Sequence, residues 1–393
     1  MPAAAPDPGG TEPPPAARGP GRCPRPAPAR PGVPAGPDRV GHAAAQRLRL
    51  DAVHALATGR GQRVAVIDTG VAPHPRLSGR LVGLGDFLQD GDGLDDCAGH
   101  GTAVAGLIAA APDPGDDLVG VAPDAQILAV RQFGLAGDDG PTGGSGPTGG
   151  DLPSLAAAVT RAVRGGADVV NISGAVCVPE AEVASVGAPV RAALDLAARS
   201  DVVVVAAAGN VGGGGCATAA PGQVSLPGWF GDELLTVGAV GPDDRAAPFT
   251  VPGPWVDVAA PGTRVSSLGV DGGTAAPQDG TSFAAPYVAG LAALVRQRHP
   301  ELRAPEVVAL IAGTAHRPAG GRDDAVGAGV VDPVAALTAE PATVRGRPAP
   351  PRPVVVGRET PAPPPAGWPV AALALLLAAA GGPLATTRRT APR

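Results

Sequence analysis

Four short apolar runs constrain the fold more than any other feature of the chain. RVAVID (63–68), AQILAVR (125–131), ADVVNIS (167–173) and DVVVVAAAGN (201–210) are rich in Val and Ile and carry few polar residues. Runs of this length and composition read as strands. A strand that is apolar on both faces must be covered on both, which predicts a parallel sheet between helical layers. Residues 152–164 and 189–199 read as Ala-rich helices between the runs. Strand alternating with helix is the α/β pattern.

Composition at first argues the other way. With 59 Gly and 48 Pro in 393 residues, the chain enters the range of about 25–30% Gly plus Pro where disorder is suspected. Aromatics are only 2%, yet 44% of residues are hydrophobic, mostly Ala, Val and Leu. That apolar content excludes a wholly disordered chain, and the lack of a Gly-X-Y period excludes collagen. The Pro is concentrated: the first 40 residues hold 13 of them. Residues 1–41 therefore read as a Pro/Gly-rich extension and 42–338 as one domain with a small-residue core. Residues 339–367 read as a stiff Pro-rich linker.

Residues 368–387 follow as a candidate membrane-spanning helix. Trp368 to Leu384 contains no charge, close to the lower length limit of about 17 for a span. Trp368 suits one interface, and Arg388 with Arg389 suits a cytoplasmic flank. The reading makes 388–393 a cytoplasmic tail and places the large domain outside the membrane. No apolar run of signal-peptide length follows Met1. The net charge of −6 and the absence of a basic run in the domain give no electrostatic support to nucleic-acid binding. The stretch 136–150 reads as an exposed Gly/Pro/Ser loop.

Three segments carry chemistry. Asp68 closes the strand in VAVIDTGV, His100 lies in CAGHGTAVAGLIAA, and Ser282 opens the helical run of DGTSFAAPYVAGLAALV. Taken singly, Asp68 would be a loop acid, His100 a structural histidine and Ser282 a helix cap. Strand ends and helix starts of a parallel sheet converge on one edge, where ligands bind. There an imidazole can take the proton of the Ser hydroxyl while the Asp fixes its tautomer. Gly101 and Gly280 leave room beside the reacting groups. Asn210, closing VVVVAAAGN, can offer a side-chain amide to the oxyanion of acyl transfer.

In the order Asp, His, Ser, with Asn210 before the Ser, these motifs resemble the subtilisin-like serine peptidases over about 61–337. The resemblance implies a three-layer α/β fold with a mainly parallel sheet of about seven strands. It makes Asp68, His100 and Ser282 the triad, and Asn210 with the Ser282 N–H the oxyanion hole. It places Ser173, Gly174, Ala207, Ala208 and Gly209 along the substrate cleft. A calcium site is common in that family, but no compact acidic loop here demands one: Asp90, Asp92, Asp95 and Asp96 read as a solvated acidic turn, and no metal or cofactor is expected.

The layout also resembles the mycosins, membrane-anchored subtilisin-like proteases of type VII secretion systems. Four Cys allow three pairings; the resemblance implies Cys23–Cys97 and Cys177–Cys216, and an extension wrapped around the domain. Two departures stand out. The signal peptide of that family is not visible after Met1, and NISGAVC lacks the second Gly common in the cleft strand. The expected function is a membrane-anchored serine endopeptidase acting on protein or peptide substrates beside a type VII secretion complex. The alternatives are a structural component of that complex with dispensable proteolysis, or a general degradative or maturation protease.

Overall fold

Seven strands hydrogen-bond into one sheet, and every neighbouring pair is parallel. They are β1 (Arg63–Asp68), β2 (Leu81–Asp86), β3 (Gln126–Arg131), β4 (Val169–Ile172), β5 (Val203–Ala207), β6 (Leu235–Val240) and β7 (Val258–Pro261). Their order across the sheet is β2-β3-β1-β4-β5-β6-β7. The computed structural model describes residues 42–135, 147–148, 150–216 and 222–340.

The four apolar runs form β1, β3, β4 and β5, trimmed by at most three residues at either end. Three further strands carry no such run. LVGLGD of β2 is broken by Gly83 and Gly85 and is only half-buried along most of its length. LTVGAV and VAAP of β6 and β7 are fully or almost fully buried. β6 mixes Thr236, Val237 and Val240 with Gly238 and Ala239, and β7 has one β-branched residue in four, so neither reads as an unbroken Val/Ile run.

Side chains alternate between two cores, as the pleat requires. Val64 and Val66 of β1 face one core, Ala65 and Ile67 the other. On the first face lie α1 (His100–Ala109), α4 (Thr281–Arg298) and α5 (Ala304–Thr314); on the second lie α2 (Leu152–Arg164) and α3 (Ala188–Arg199). The architecture is therefore three layers. α4 is buried continuously from Thr281 to Val295, so it is apolar around its whole circumference. Its small residues let it lie close: a Cβ on Gly290 would stand 2.7 Å from that of Val121.

α2 begins where the sequence predicts. Asp151 caps it by accepting from Ser154 N at 2.8 Å, and Ser154 Oγ accepts from Asp151 N in return, a reciprocal cap that satisfies two end donors. Because all seven strands run one way, Asp68, Ile172 and Ala207 end at the same edge of the sheet.

Among the described residues no helix is long and apolar enough to cross a membrane. The segment 368–387 expected to do so lies outside the described residues, as do the extension 1–41, most of the linker 339–367 and the tail 388–393. Of the loop 136–150, residues 147, 148 and 150 are described: Pro147–Thr148 pairs antiparallel with Gly134–Leu135, and Gly150 stands at the wall of the cleft below.

Candidate active site

Asp68 is the last residue of β1 and only 1% exposed. Its Oδ1 lies 2.7 Å from His100 Nδ1 and accepts the Thr69 N–H at 2.7 Å. His100 opens α1, and its Nε2 lies 2.9 Å from Ser282 Oγ. A carboxylate on Nδ1 holds that proton there and leaves Nε2 able to accept the Ser hydroxyl. The His100 ring also rests against Phe283, centroid to centroid 4.9 Å. Residues 32 and 182 positions apart in sequence thus form one line of acid, imidazole and hydroxyl.

The glycines of the motifs explain themselves here. A Cβ on Gly101 would stand 2.0 Å from Gly70 O and 3.0 Å from Asp68 Cβ. Any side chain would push α1 off the end of β1. A Cβ on Gly280 would stand 2.8 Å from Ser282 Oγ and 3.4 Å from Asn210 Nδ2. The same small space is thus bordered by the hydroxyl and by the amide. Asn210 Oδ1 accepts from Thr281 N at 3.0 Å and from Thr281 Oγ1 at 2.9 Å. With its oxygen held, the Nδ2 donors face the space over Gly280. Ser282 is the second residue of α4, where a backbone N–H has no partner within the helix.

Burial pulls the His100 imidazole down, but the Asp68 carboxylate, its hydrogen bond and the charge of Asp96 outweigh it. The net position is above the ordinary imidazole value. Around the line opens a cleft of about 1140 Å³ whose walls include Phe133, Gly174, Val176, Val178 and Pro189.

A subtilase family model matches residues 59–329. The chain belongs to the subtilase family. It is 44% identical to Mycosin-4 of Mycobacterium tuberculosis, over 81% of this chain and 75% of that protein. It is 40% identical to MycP1, described as a serine protease and an essential component of the type VII (ESX-1) secretion system. That likeness has a TM-score of 0.69 and covers 79% of this chain and 91% of the other. A chain in the periplasmic assembly of the ESX-5 inner membrane complex is 33% identical, with a TM-score of 0.68, over 91% of this chain and 92% of that one. Within the subtilases its relatives include mycosins, and it is a serine endopeptidase.

The subtilase cleft takes Ser173, Gly174, Ala207 and Gly209 into its walls. Ala208 is a correction. Its methyl is buried in the second core, its N–H donates to Val237 O, and its carbonyl accepts from Ser225 Oγ at 2.8 Å. The pleat turns the Ala207 and Ala208 methyls to opposite faces, and that of Ala208 points into the second core. Gly174 is tightly enclosed, since a Cβ there would meet the Phe133 ring at 2.3 Å.

Cys177 and Cys216 are bonded. The bridge joins the strand Val176–Pro179 to the loop that leaves Asn210, beside the bond from Cys177 N to Gly214 O. Cys23, and with it the pairing expected for Cys97, lies outside the described residues. His54 and His74 bond backbone carbonyls away from the triad.

Three participants are not evident from the sequence. Thr281 aims Asn210, Phe133 forms a cleft wall, and Asp96 is not a solvated acid but 3% exposed. The first sits inside the motif GTS, where its neighbour Ser282 draws attention. Asp96 stands four residues before His100, yet its acidic neighbours make it look like surface.

Proposed function

We propose that this subtilase hydrolyses peptide bonds through an acyl-enzyme on Ser282, as a membrane-anchored enzyme working outside the cytoplasm beside a type VII secretion complex. The observation that carries the chemistry is the unbroken line Asp68–His100–Ser282, at 2.7 and 2.9 Å, at the floor of an open cleft. His100 Nε2 takes the proton as Ser282 Oγ attacks the scissile carbonyl, and Asp68 holds the imidazolium that forms. The Asn210 amide and the Ser282 N–H receive the oxyanion. His100 then passes the proton to the departing amine. A water repeats the sequence to release the acid. The cleft walls named above, Ser173, Gly174, Ala207 and Gly209, would flank an extended substrate.

In the purified protein, Ser282→Ala is expected to abolish hydrolysis of a susceptible polypeptide while leaving the melting temperature near wild type. Retained hydrolysis would refute the assignment. The cellular setting is supported by likeness to proteins described as parts of ESX complexes, and by the uncharged segment before Arg388. Protease protection in membrane vesicles tests the topology: digestion of the domain from the outside is expected, and protection there would refute it.

The likeness to a chain of a periplasmic assembly over 91% of this one favours a second role, as a structural part of that complex. Secretion restored to a deletion strain by Ser282→Ala supports it. Failure of that inactive protein to restore secretion counts against it.

A further inference from the structure

Asp96 is a buried carboxylate that the mechanism above does not use. Its Oδ1 accepts from Thr69 Oγ1 at 2.8 Å, Gly99 N at 2.8 Å and Ala98 N at 3.2 Å. Its Oδ2 accepts from Thr102 N at 2.8 Å and Thr102 Oγ1 at 2.6 Å. Each hydroxyl accepts one backbone N–H from elsewhere, Thr69 Oγ1 from Gly101 N at 3.0 Å and Thr102 Oγ1 from Ala72 N at 2.9 Å. That leaves each hydroxyl proton free to turn to Asp96. Three backbone N–H groups and two hydroxyls then converge on Asp96, a set of donors that suits the carboxylate.

The network joins the two elements that carry the acid and the base. Thr69 follows Asp68 at the end of β1, and its N–H donates to Asp68 Oδ1 at 2.7 Å. Gly101 and Thr102 follow His100 in the first turn of α1. Asp96 bonds both sides at once. We propose that Asp96 is a positioning residue: ionised, it locks the helix start bearing His100 to the strand end bearing Asp68, and it sets a second negative charge behind the imidazole. The inference rests on His100 being the general base.

Burial pushes the Asp96 carboxyl above its ordinary range and the Asp68 charge adds to this; the Thr102 and Thr69 bonds oppose the shift without reversing it. The charges acting on His100 are Asp68 from β1 and Asp96 from the segment before α1. From α4, the contacts are Ser282 and the ring of Phe283, both uncharged. Removing Asp96's charge should therefore lower the imidazole, and loosening the link should misalign it. A misplacement of about 1 Å at a reacting group costs on the order of 10²-fold in rate.

The test is the pH dependence of the rate at which a fluorophosphonate labels Ser282 in the full-length protein. For Asp96→Asn, labelling at pH about 8 is expected to slow by about tenfold or more. Its acid limb is expected to move to lower pH, because a negative charge that favours the imidazolium is gone. Thr69→Val keeps the side chain's shape and cuts the link; it is expected to label about tenfold more slowly, whereas Thr69→Ser labels near the wild-type rate. An Asp96→Asn acid limb at the wild-type position overturns the proposal. If that variant does not fold, equal rates in Thr69→Val and Thr69→Ser overturn it instead. His100→Ala separates the two readings. Labelling at the wild-type rate there would sink the general-base assignment itself. A dead His100→Ala beside an unmoved Asp96→Asn limb sinks only the role of Asp96.

Discussion

Asn210 is aimed by Thr281, which holds its side-chain oxygen with both a backbone N–H at 3.0 Å and a hydroxyl at 2.9 Å. The two residues are 71 positions apart, and the bonds close only because β5 and α4 meet at the same sheet edge. The arrangement leaves Nδ2 as the free end of the amide, beside Ser282 Oγ across Gly280.

Removing the Asn210 donor by Asn210→Ala is expected to lower kcat by about 10²–10³, the cost of losing one oxyanion-hole donor. Thr281→Val keeps the donor but releases one of its two restraints. A smaller loss is expected, about tenfold in kcat with little change in KM, because the restraint acts on an interaction made in the transition state. Steady-state kinetics on a peptide substrate measure both. A larger effect on KM than on kcat in either variant would contradict the role.

The pH profile follows from the position of His100. The base must be neutral to accept the Ser282 proton, and Asp68 with Asp96 holds the imidazole above 6.5 despite burial. Activity should therefore fall as the pH drops, with the midpoint of the acid limb in kcat/KM above the ordinary value of 6.5. Stability should move the opposite way at this residue. A folded value above the unfolded one contributes stability below about pH 6.5 that is lost as pH rises through the raised value. Thermal melts of the wild type and of His100→Gln across that window, both in a Ser282→Ala background, read the second effect.

Gly101→Ala is expected to disrupt both fold and site. Its methyl would stand 2.0 Å from Gly70 O, a backbone atom that cannot turn away. The overpacking is expected to cost about 1–3 kcal/mol and to carry His100 away from Asp68. A lowered melting temperature together with lost hydrolysis is expected. A Gly101→Ala protein with normal kcat would show that α1 is not seated as described.

Much of this is legible in the sequence because its strongest signals are local. Val and Ile runs mark β1, β3, β4 and β5, and the motifs around them place Asp68 at a strand end and His100 and Ser282 at helix starts. The strands β2, β6 and β7 are not legible. Gly or Ala interrupts the Val, Leu and Thr of each, so no continuous run marks them, and pairing with the neighbouring strands completes them. Ala208 misleads because a three-residue Ala run hides the pleat that sends alternate methyls to opposite cores. Asp96 misleads for a different reason. Whether a carboxylate is solvated or buried depends on which groups donate to it, and its donors Thr69 and Thr102 lie on separate elements.

The measurement that bears most directly on the account is the site of covalent labelling by a fluorophosphonate, located by peptide mass analysis of the full-length protein. One adduct per chain is expected, on Ser282, abolished in Ser282→Ala and strongly slowed in His100→Ala. An adduct on another residue, or undiminished labelling of Ser282→Ala, would contradict the claim that Asp68, His100 and Ser282 form the catalytic line.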